Sequence, residues 1–383
     1  MTQSVQSGAP PLSLTVLITN FVLDHRSGTT LYVRDLALEL KRKGHVPIVY
    51  AKRLGAVSRD IANAGIMVTR NLRSIRKPPD VIHGHHWHVT DLALNRFPGV
   101  PAIYICHDHT AYVDGATFHP QIGRYFGVSQ LCIDRLVREG VPPSRVRLLH
   151  NFVDTKRFAA RDGLPTSPRR ALVFSNYAHA GTHLPAVAAA CRKTGLTLDV
   201  IGESSGNVVD NPESHLGQYD LVFAKAKAAM EAMATGAAVV LCDFSGVGPM
   251  VSSENYEVLK PWNFGRQALT APLSAESVVR QIRRYDPLDA GHVCARLRAD
   301  VGLDDAVERL CHVYTEVIAS APFQSVMGPG IPNLRRSSPR SAVYLGWLSI
   351  PRGIRNLLRP IPGYRAAKAH ILKWVNNGNR DQV

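Results

Sequence analysis

At 383 residues, 45% apolar and 20% charged, the chain has the balance of a folded globular protein and is too long for one ordinary core, so two domains are expected and general disorder is excluded. The formal net charge of +15 favours anionic partners, but most of the excess is local: residues 321–383 carry ten Arg and Lys against Asp381 alone. No run approaches the roughly 20 apolar residues of a membrane-spanning helix, residues 1–11 lack the basic start of a secretory signal, and the six cysteines, with no C-x-x-C pair, read as free thiols of a reducing cytosol.

In chain order, residues 12–20 (LSLTVLITN) predict a first strand. A helix follows from about Thr30 to Lys43, with Val33, Leu36, Ala37 and Leu40 on one face and Gly44 closing it behind three basic residues. The next strand, HVPIVYA, completes a β-α-β unit and so predicts a parallel sheet. Further strands are expected at Asp80–His83, Pro101–Cys106, Gly123–Val128 and Val146–His150, with a helix over Leu131–Glu139. Residues 161–170 (RDGLPTSPRR) are aperiodic and read as a linker. Alternation then resumes. Strands are expected at Ala171–Ser175, Leu198–Gly202, Asp220–Phe223 and Ala237–Asp243, and helices at Leu184–Lys193, about Lys225–Thr235, 274–284 and 303–319. The expected organisation is an α/β chain of two Rossmann-like domains, 12–160 and 171–320, facing a central cleft, followed by a basic tail over 321–383.

In open parallel sheets, ligands bind beyond the carboxyl ends of the strands. The most informative stretch there is YDLVFAKAKAAMEAMATGAAVVLCD (219–243). Lys225 and Lys227 begin a helix, where cations oppose the macrodipole unless an anion is bound. A diphosphate held by the helix N–H groups and these lysines is one reading; an ordinary i,i+4 pair between Lys227 and Glu231 is the other. His83, His85, His86 and His88 (HGHHWH), with His107 and His109, form a histidine-rich region; a zinc site and a metal-free strand end are both open. Gly28, in Ser27-Gly28-Thr29-Thr30, matches neither a dinucleotide fingerprint nor a P-loop. It marks either a simple turn or a place where the backbone and Thr29 meet substrate. Gly246 and Gly248, in SGVGPM (245–250), mark either a connection or a loop whose N–H groups reach a ligand.

EAMATGAAVV resembles the E-A-M-A-x-G-x-P-V-V segment of glycosyltransferase family 4. SGTTLYVRDLALELKRKGH (27–45), PDVIHGHHWH (79–88) and LLHNFVDTKRF (148–158) resemble further family elements, and the similarity spans about residues 14–319. It implies a GT-B fold and a glycosyltransferase that moves a sugar from a nucleotide-diphosphate donor to a hydroxyl of a glycan or lipid-linked acceptor, with retention and without metal or other cofactor. It places Glu231 on the donor ribose and His107 beside the transferred sugar. The donor set is Glu231, Lys225, Lys227, Gly246, Gly248 and Asn176; the acceptor set is Gly28, Thr29 and His85; the catalytic set is His107, Lys225 and Lys227. The family's other glutamate, eight residues before Glu231, is Phe223 here. FSNYAHAGTH (174–183) lacks the family's Arg and Lys, so Lys225 and Lys227 are expected to take over the charge on the leaving diphosphate. The reading requires the start of the helix bearing Glu231 to open onto the interdomain gap.

The tail interleaves Arg with Trp347, Leu348, Leu357, Leu358, Ile371 and Trp374. Docking on anionic lipid, suited to a cytoplasmic enzyme at the inner membrane face making envelope polysaccharide, stands beside a disordered tail or a helix packed on the body. A GT-B scaffold binding nucleotide sugar, glycan or protein without turnover is the alternative function; a sugar-nucleotide epimerase also remains, and no motif supports specific nucleic-acid binding.

Overall fold

The computed structural model of the chain describes residues 13–321; the tail, with the membrane-docking reading, lies outside them. The first sheet contains β1 (Thr15–Leu23), β2 (Val46–Leu54), β3 (Met67–Thr69), β4 (Val81–His85), β5 (Ala102–Cys106), β6 (Ile122–Gly127) and β7 (Val146–Leu148), with α1 (Gly28–Arg42), α2 (Ala56–Asn63), α3 (Trp87–Arg96) and α4 (Gln130–Arg138) as its connections. The second contains β8 (Arg170–Phe174), β9 (Thr197–Ile201), β10 (Leu221–Ala224), β11 (Ala238–Asp243) and β12 (Gly246–Met250), with α5 (Leu184–Lys193), α6 (Glu213–Leu216), α7 (Ala226–Ala234), α8 (Tyr256–Leu259), α9 (Ala275–Ile282) and α10 (Pro287–Val301); α11 (Leu303–Ala319) follows it in sequence.

The first sheet is wholly parallel, in the order β3-β2-β1-β4-β5-β6-β7. The second runs β12-β11-β10-β8-β9, with only β12 antiparallel. Strand order reverses between β1 and β4 and between β8 and β10, which puts the ligand crevices at the carboxyl ends of those strands. The four apolar residues expected to face inward from α1 are all fully buried, each large one contributing about 1.5–3 kcal/mol. Gly44 follows α1 at φ +87°, the left-handed stop its sequence position predicts.

Two boundaries differ from expectation. The chain leaves the first core between Phe152 and Val153 and returns to it between Val301 and Leu303. The Pro/Ser/Arg-rich stretch at 161–170 is therefore not the crossing point, and α11, expected in the second domain, buries Leu303, Leu310, Tyr314 and Val317 in the first. The two crossings lie side by side: Val153 N–H donates to Val301 O (2.9 Å) and Leu303 N–H to Val153 O (2.9 Å). The glycine-containing stretch at 245–250 is largely strand, β12, rather than loop.

Candidate active site

Within α7 the two lysines part. Lys225 is the N-cap, extended at φ −145°, and its Nζ lies 2.5 Å from Asp243 Oδ2 at the end of β11. It sits over the rings of Tyr177 and Phe244, 5.8 and 5.7 Å from their centroids. Arg266 joins from the other side, 3.6 Å from the same Asp243 oxygen and 4.9 Å from the Phe244 centroid. Tyr177 and Phe244 are exposed, as is much of Arg266. Burial pulls the Lys225 ammonium below its ordinary range, against the hydrogen bond and charge of Asp243. Burial would raise Asp243, but hydrogen bonds from Lys225 and Ser245 outweigh it and hold the carboxyl below its usual range.

Lys227 goes the other way. Its side chain is 7% exposed, and Nζ donates to Phe152 O (3.0 Å) and Asp35 Oδ2 (3.3 Å), both in the first domain. Glu231 Oε1 is 3.5 Å away and makes no hydrogen bond. Asp35, fully enclosed, also accepts from Arg34 Nε and Nη2 (2.9 and 2.7 Å) and Arg157 Nη1 (3.4 Å). Burial pushes Asp35 up, but Lys227, Arg34 and Arg157 overcome it and leave the carboxyl low. Burial raises Glu231, helped by Asp35 and opposed by Lys227. Lys227 is thus a structural cation joining the domains and is not free for phosphate. The α7 mouth does face the interdomain gap, but its Lys227–Glu231 side is filled by Asp35; only the Lys225 side is open.

Backbone strain gathers at this mouth. Ala226 has φ +49°, Asn263 +55° and Phe264 +51°, and Ala226 N–H donates to Phe264 O at 2.8 Å. Residues without glycine's freedom hold such angles only where their surroundings impose them, commonly at functional sites.

Across the gap stands the loop after β5. His107 is half-buried; its Nε2 lies 2.7 Å from His85 Nδ1, and its backbone N–H donates to Asp114 Oδ1 at 2.9 Å. The next residues meet the second domain electrostatically: Asp108 acts on Lys225 and Arg266 on His109. Burial, reinforced by neighbouring imidazoles, drives both His85 and His107 far below the usual histidine range, so both are neutral. His86 turns the chain at φ +61° and caps α3, sending His88 onto Phe21 and Trp87 and away from His83 and His85. Among the described residues no group of three or more His, Cys, Asp or Glu is placed to hold a metal ion.

The remaining expected residues divide. Gly28 opens α1 and is exposed, with open space where a side chain would stand, and Thr29 beside it is half-buried. Asn176 is exposed and ties the domains, its Nδ2 donating to Arg26 O (3.1 Å) while Oδ1 accepts from Glu203 N–H (3.2 Å). Gly246 and Gly248 are buried. A Cβ would stand 2.8 Å from Ala271 O at the first and 2.7 Å from Ala268 O at the second, so these glycines serve the close packing of β12 on segment 268–271 rather than an open ligand loop. Asp35, Tyr177, Phe244 and Arg266 escaped the sequence reading. Only the position of Tyr177 and Phe244 just beyond strands could have marked them; Arg266 lies in no motif, and the family-like stretch 27–45 that contains Asp35 does not single it out.

Residues 26–157 match the profile of Glycosyltransferase Family 4. No curated protein matches the chain in sequence. Among solved structures it resembles a glycosyltransferase from Rickettsia africae (11% identity, 81% of this chain and 100% of that one, TM-score 0.58). It also resembles Anabaena HepE in complex with UDP-glucose (12%, 79% and 100%, 0.58) and sucrose-phosphate synthase from Thermosynechococcus elongatus (12%, 80% and 100%, 0.58). With two α/β domains facing one gap, the chain has the GT-B architecture of these solved structures, and most of its first domain matches the Glycosyltransferase Family 4 profile.

Proposed function

We propose that the protein transfers a sugar from a nucleoside-diphosphate donor to a hydroxyl acceptor, with the diphosphate seated at Lys225 and Arg266 and the sugar beside His107. The observation that carries this reading is the half-open pair of cations on Phe244 and Tyr177, at the carboxyl ends of β8, β10 and β11 and opposite the His107–His109 loop. Fixed positive charge at a departing diphosphate stabilises the transition state directly. Arg266 supplies the second cation that Lys227 does not. The bound UDP-glucose of the Anabaena protein supports the donor class. Glu231 reaches the donor ribose only when the domains separate enough to withdraw Asp35. We assign a glycan or lipid-linked acceptor, retention of configuration, no metal or cofactor, and a cytoplasmic location to this same reading. Among the described residues no helix is long and apolar enough to cross a membrane.

One observation favours a second reading, a scaffold that binds without turnover: Glu231 is sealed beneath Lys227 and Asp35, and Phe223 stands fully buried in β10 where the family has its other glutamate. Thermal shift with UDP-, GDP-, ADP- and dTDP-sugars, followed by assay of donor hydrolysis, separates the two. The transferase reading expects one donor to raise the melting temperature and to be slowly hydrolysed. A shift with no turnover, with or without acceptor glycans, points to the scaffold; epimerised sugar among the products formed without acceptor points to an epimerase.

A further inference from the structure

Beneath the cleft-facing end of β5 lies a packed group of rings. Tyr32 from α1 stands edge-on to His85 and His107, at 5.3 and 4.8 Å between centroids. His83 lies tilted against His85, with 4.6 Å between ring centroids, and the Tyr314 hydroxyl of α11 is 2.5 Å from His83 Nδ1. His85 is fully buried. Its backbone is fixed on both sides: its N–H donates to Thr19 Oγ1 (3.1 Å), and its carbonyl accepts from the hydroxyls of Thr19 and Thr90 (3.2 Å each). The ring therefore has one place to stand, with Nδ1 on His107 Nε2 at 2.7 Å and Nε2 enclosed without a partner.

One proton lies between the two neutral rings, and its owner decides what His107 shows the cleft. If His107 Nε2–H donated, His85 would carry its own proton on the enclosed Nε2, leaving a buried N–H with nothing to receive it. If His85 Nδ1–H donates, the enclosed Nε2 is only an unused lone pair. Buried orphan N–H groups are the rarer of the two in folded proteins, and the hydrogen bond at one imidazole nitrogen sets the tautomer of the ring.

We propose that His85 donates from Nδ1 to His107 Nε2 and thereby holds His107 as its Nδ1–H tautomer, making it a hydrogen-bond donor toward the cleft that takes an oxygen lone pair of the bound sugar. Free histidine in water prefers the opposite tautomer, so the protein must impose this one. His85, expected from sequence to touch acceptor, becomes a positioning residue acting through His107. The identity of the oxygen rests on the transferase reading; the tautomer does not.

The test is nitrogen-15 NMR of histidine-labelled protein without ligand, with His107 assigned by the signal lost in His107→Gln. The expected result is a protonated Nδ1 and an unprotonated Nε2 on His107 from pH 6 to 8; the reverse pattern overturns the proposal. His85→Leu should release the constraint, let the Nε2–H form appear, and weaken UDP-glucose roughly three- to tenfold, the weight of one hydrogen bond, while leaving UDP unchanged. His85→Asn, whose amide places a donor near the lost Nδ1, should restore both. An unchanged His107 spectrum in folded His85→Leu contradicts the proposal, and should that variant not fold, the wild-type spectrum decides alone. Wild type that binds no UDP-glucose counts against the donor reading and leaves the tautomer to stand or fall on the spectrum.

Discussion

Lys225 and Lys227 are two residues apart at the start of one helix, yet they occupy opposite kinds of site. Lys227 is enclosed among Asp35, Glu231 and the Phe152 carbonyl and joins the two domains. Lys225, with Arg266, rests on exposed aromatic rings and faces the gap. The helix turns successive side chains far apart around its axis; the strained Ala226 between them adds to the divergence. The lesson is that charge at a helix mouth says little until its surroundings are known: both lysines have a carboxylate partner, Asp35 for Lys227 and Asp243 for Lys225, but only Lys225 lies among exposed groups at the gap.

The largest effect should come from acid, which attacks the first domain's wall of the gap. Burial lowers His83 and His88 to about 3 and His86 to about 4 from an ordinary 6.5. The unfolded chain therefore binds more protons below pH 6.5, and the stability these groups provide is lost as pH falls toward 3, at about 1.4 kcal/mol per pH unit for each group. Asp114, pushed up to about 7 by burial and by Asp108, works in the opposite direction between about pH 4 and 7, as does the raised Glu231, but the lowered His85 and His107 add to the three histidines and outweigh both. Urea denaturation from pH 7 to 4 should show stability falling by several kcal/mol; a flat profile would mean that these imidazoles are not buried as described.

Next in size is the sealed half of the mouth. Asp35→Ala leaves Arg34 and Lys227 enclosed without their shared carboxylate and should cost about 3–5 kcal/mol in the same denaturation assay. A loss below about 1 kcal/mol would make this network no more than a surface pairing and would remove the contrast between the lysines. The strained residue between them gives a smaller effect of opposite sign. Ala226→Gly relieves φ +49° and should stabilise by about 1 kcal/mol, seen as a melting temperature raised by a few degrees; a lowered one would show that the angle is not strained.

The alternation of strands and helices was legible because burial on both faces of a parallel sheet needs continuous apolar runs, and α5 was read at its observed bounds. So was the i,i+4 relation of Lys227 to Glu231. The domain crossing was not legible. Phe152 and Val153 are equally apolar, and only the fold assigns one to each core, while the breaker-rich 161–170 drew attention instead. Asp35 lies 192 positions from Lys227, and no local pattern announces that a helix carboxylate will cross a domain gap. Gly246 and Gly248 suggested ligand approach because close approach of any backbone needs glycine; here the approaching backbone is residues 268–271.

The central claim is that the open Lys225–Arg266 half of the mouth carries the donor diphosphate. Titration calorimetry of UDP, GDP, ADP and dTDP against wild type and the Lys225→Ala/Arg266→Ala double variant tests it directly. For whichever nucleotide wild type binds, the variant should lose at least about tenfold in affinity, as charge-assisted hydrogen bonds of about 1.5–3 kcal/mol imply; its melting temperature should also fall, because buried Asp243 loses both of its cations, so affinity is compared at a temperature where both proteins are folded. Unchanged affinity in a folded double variant would contradict the account.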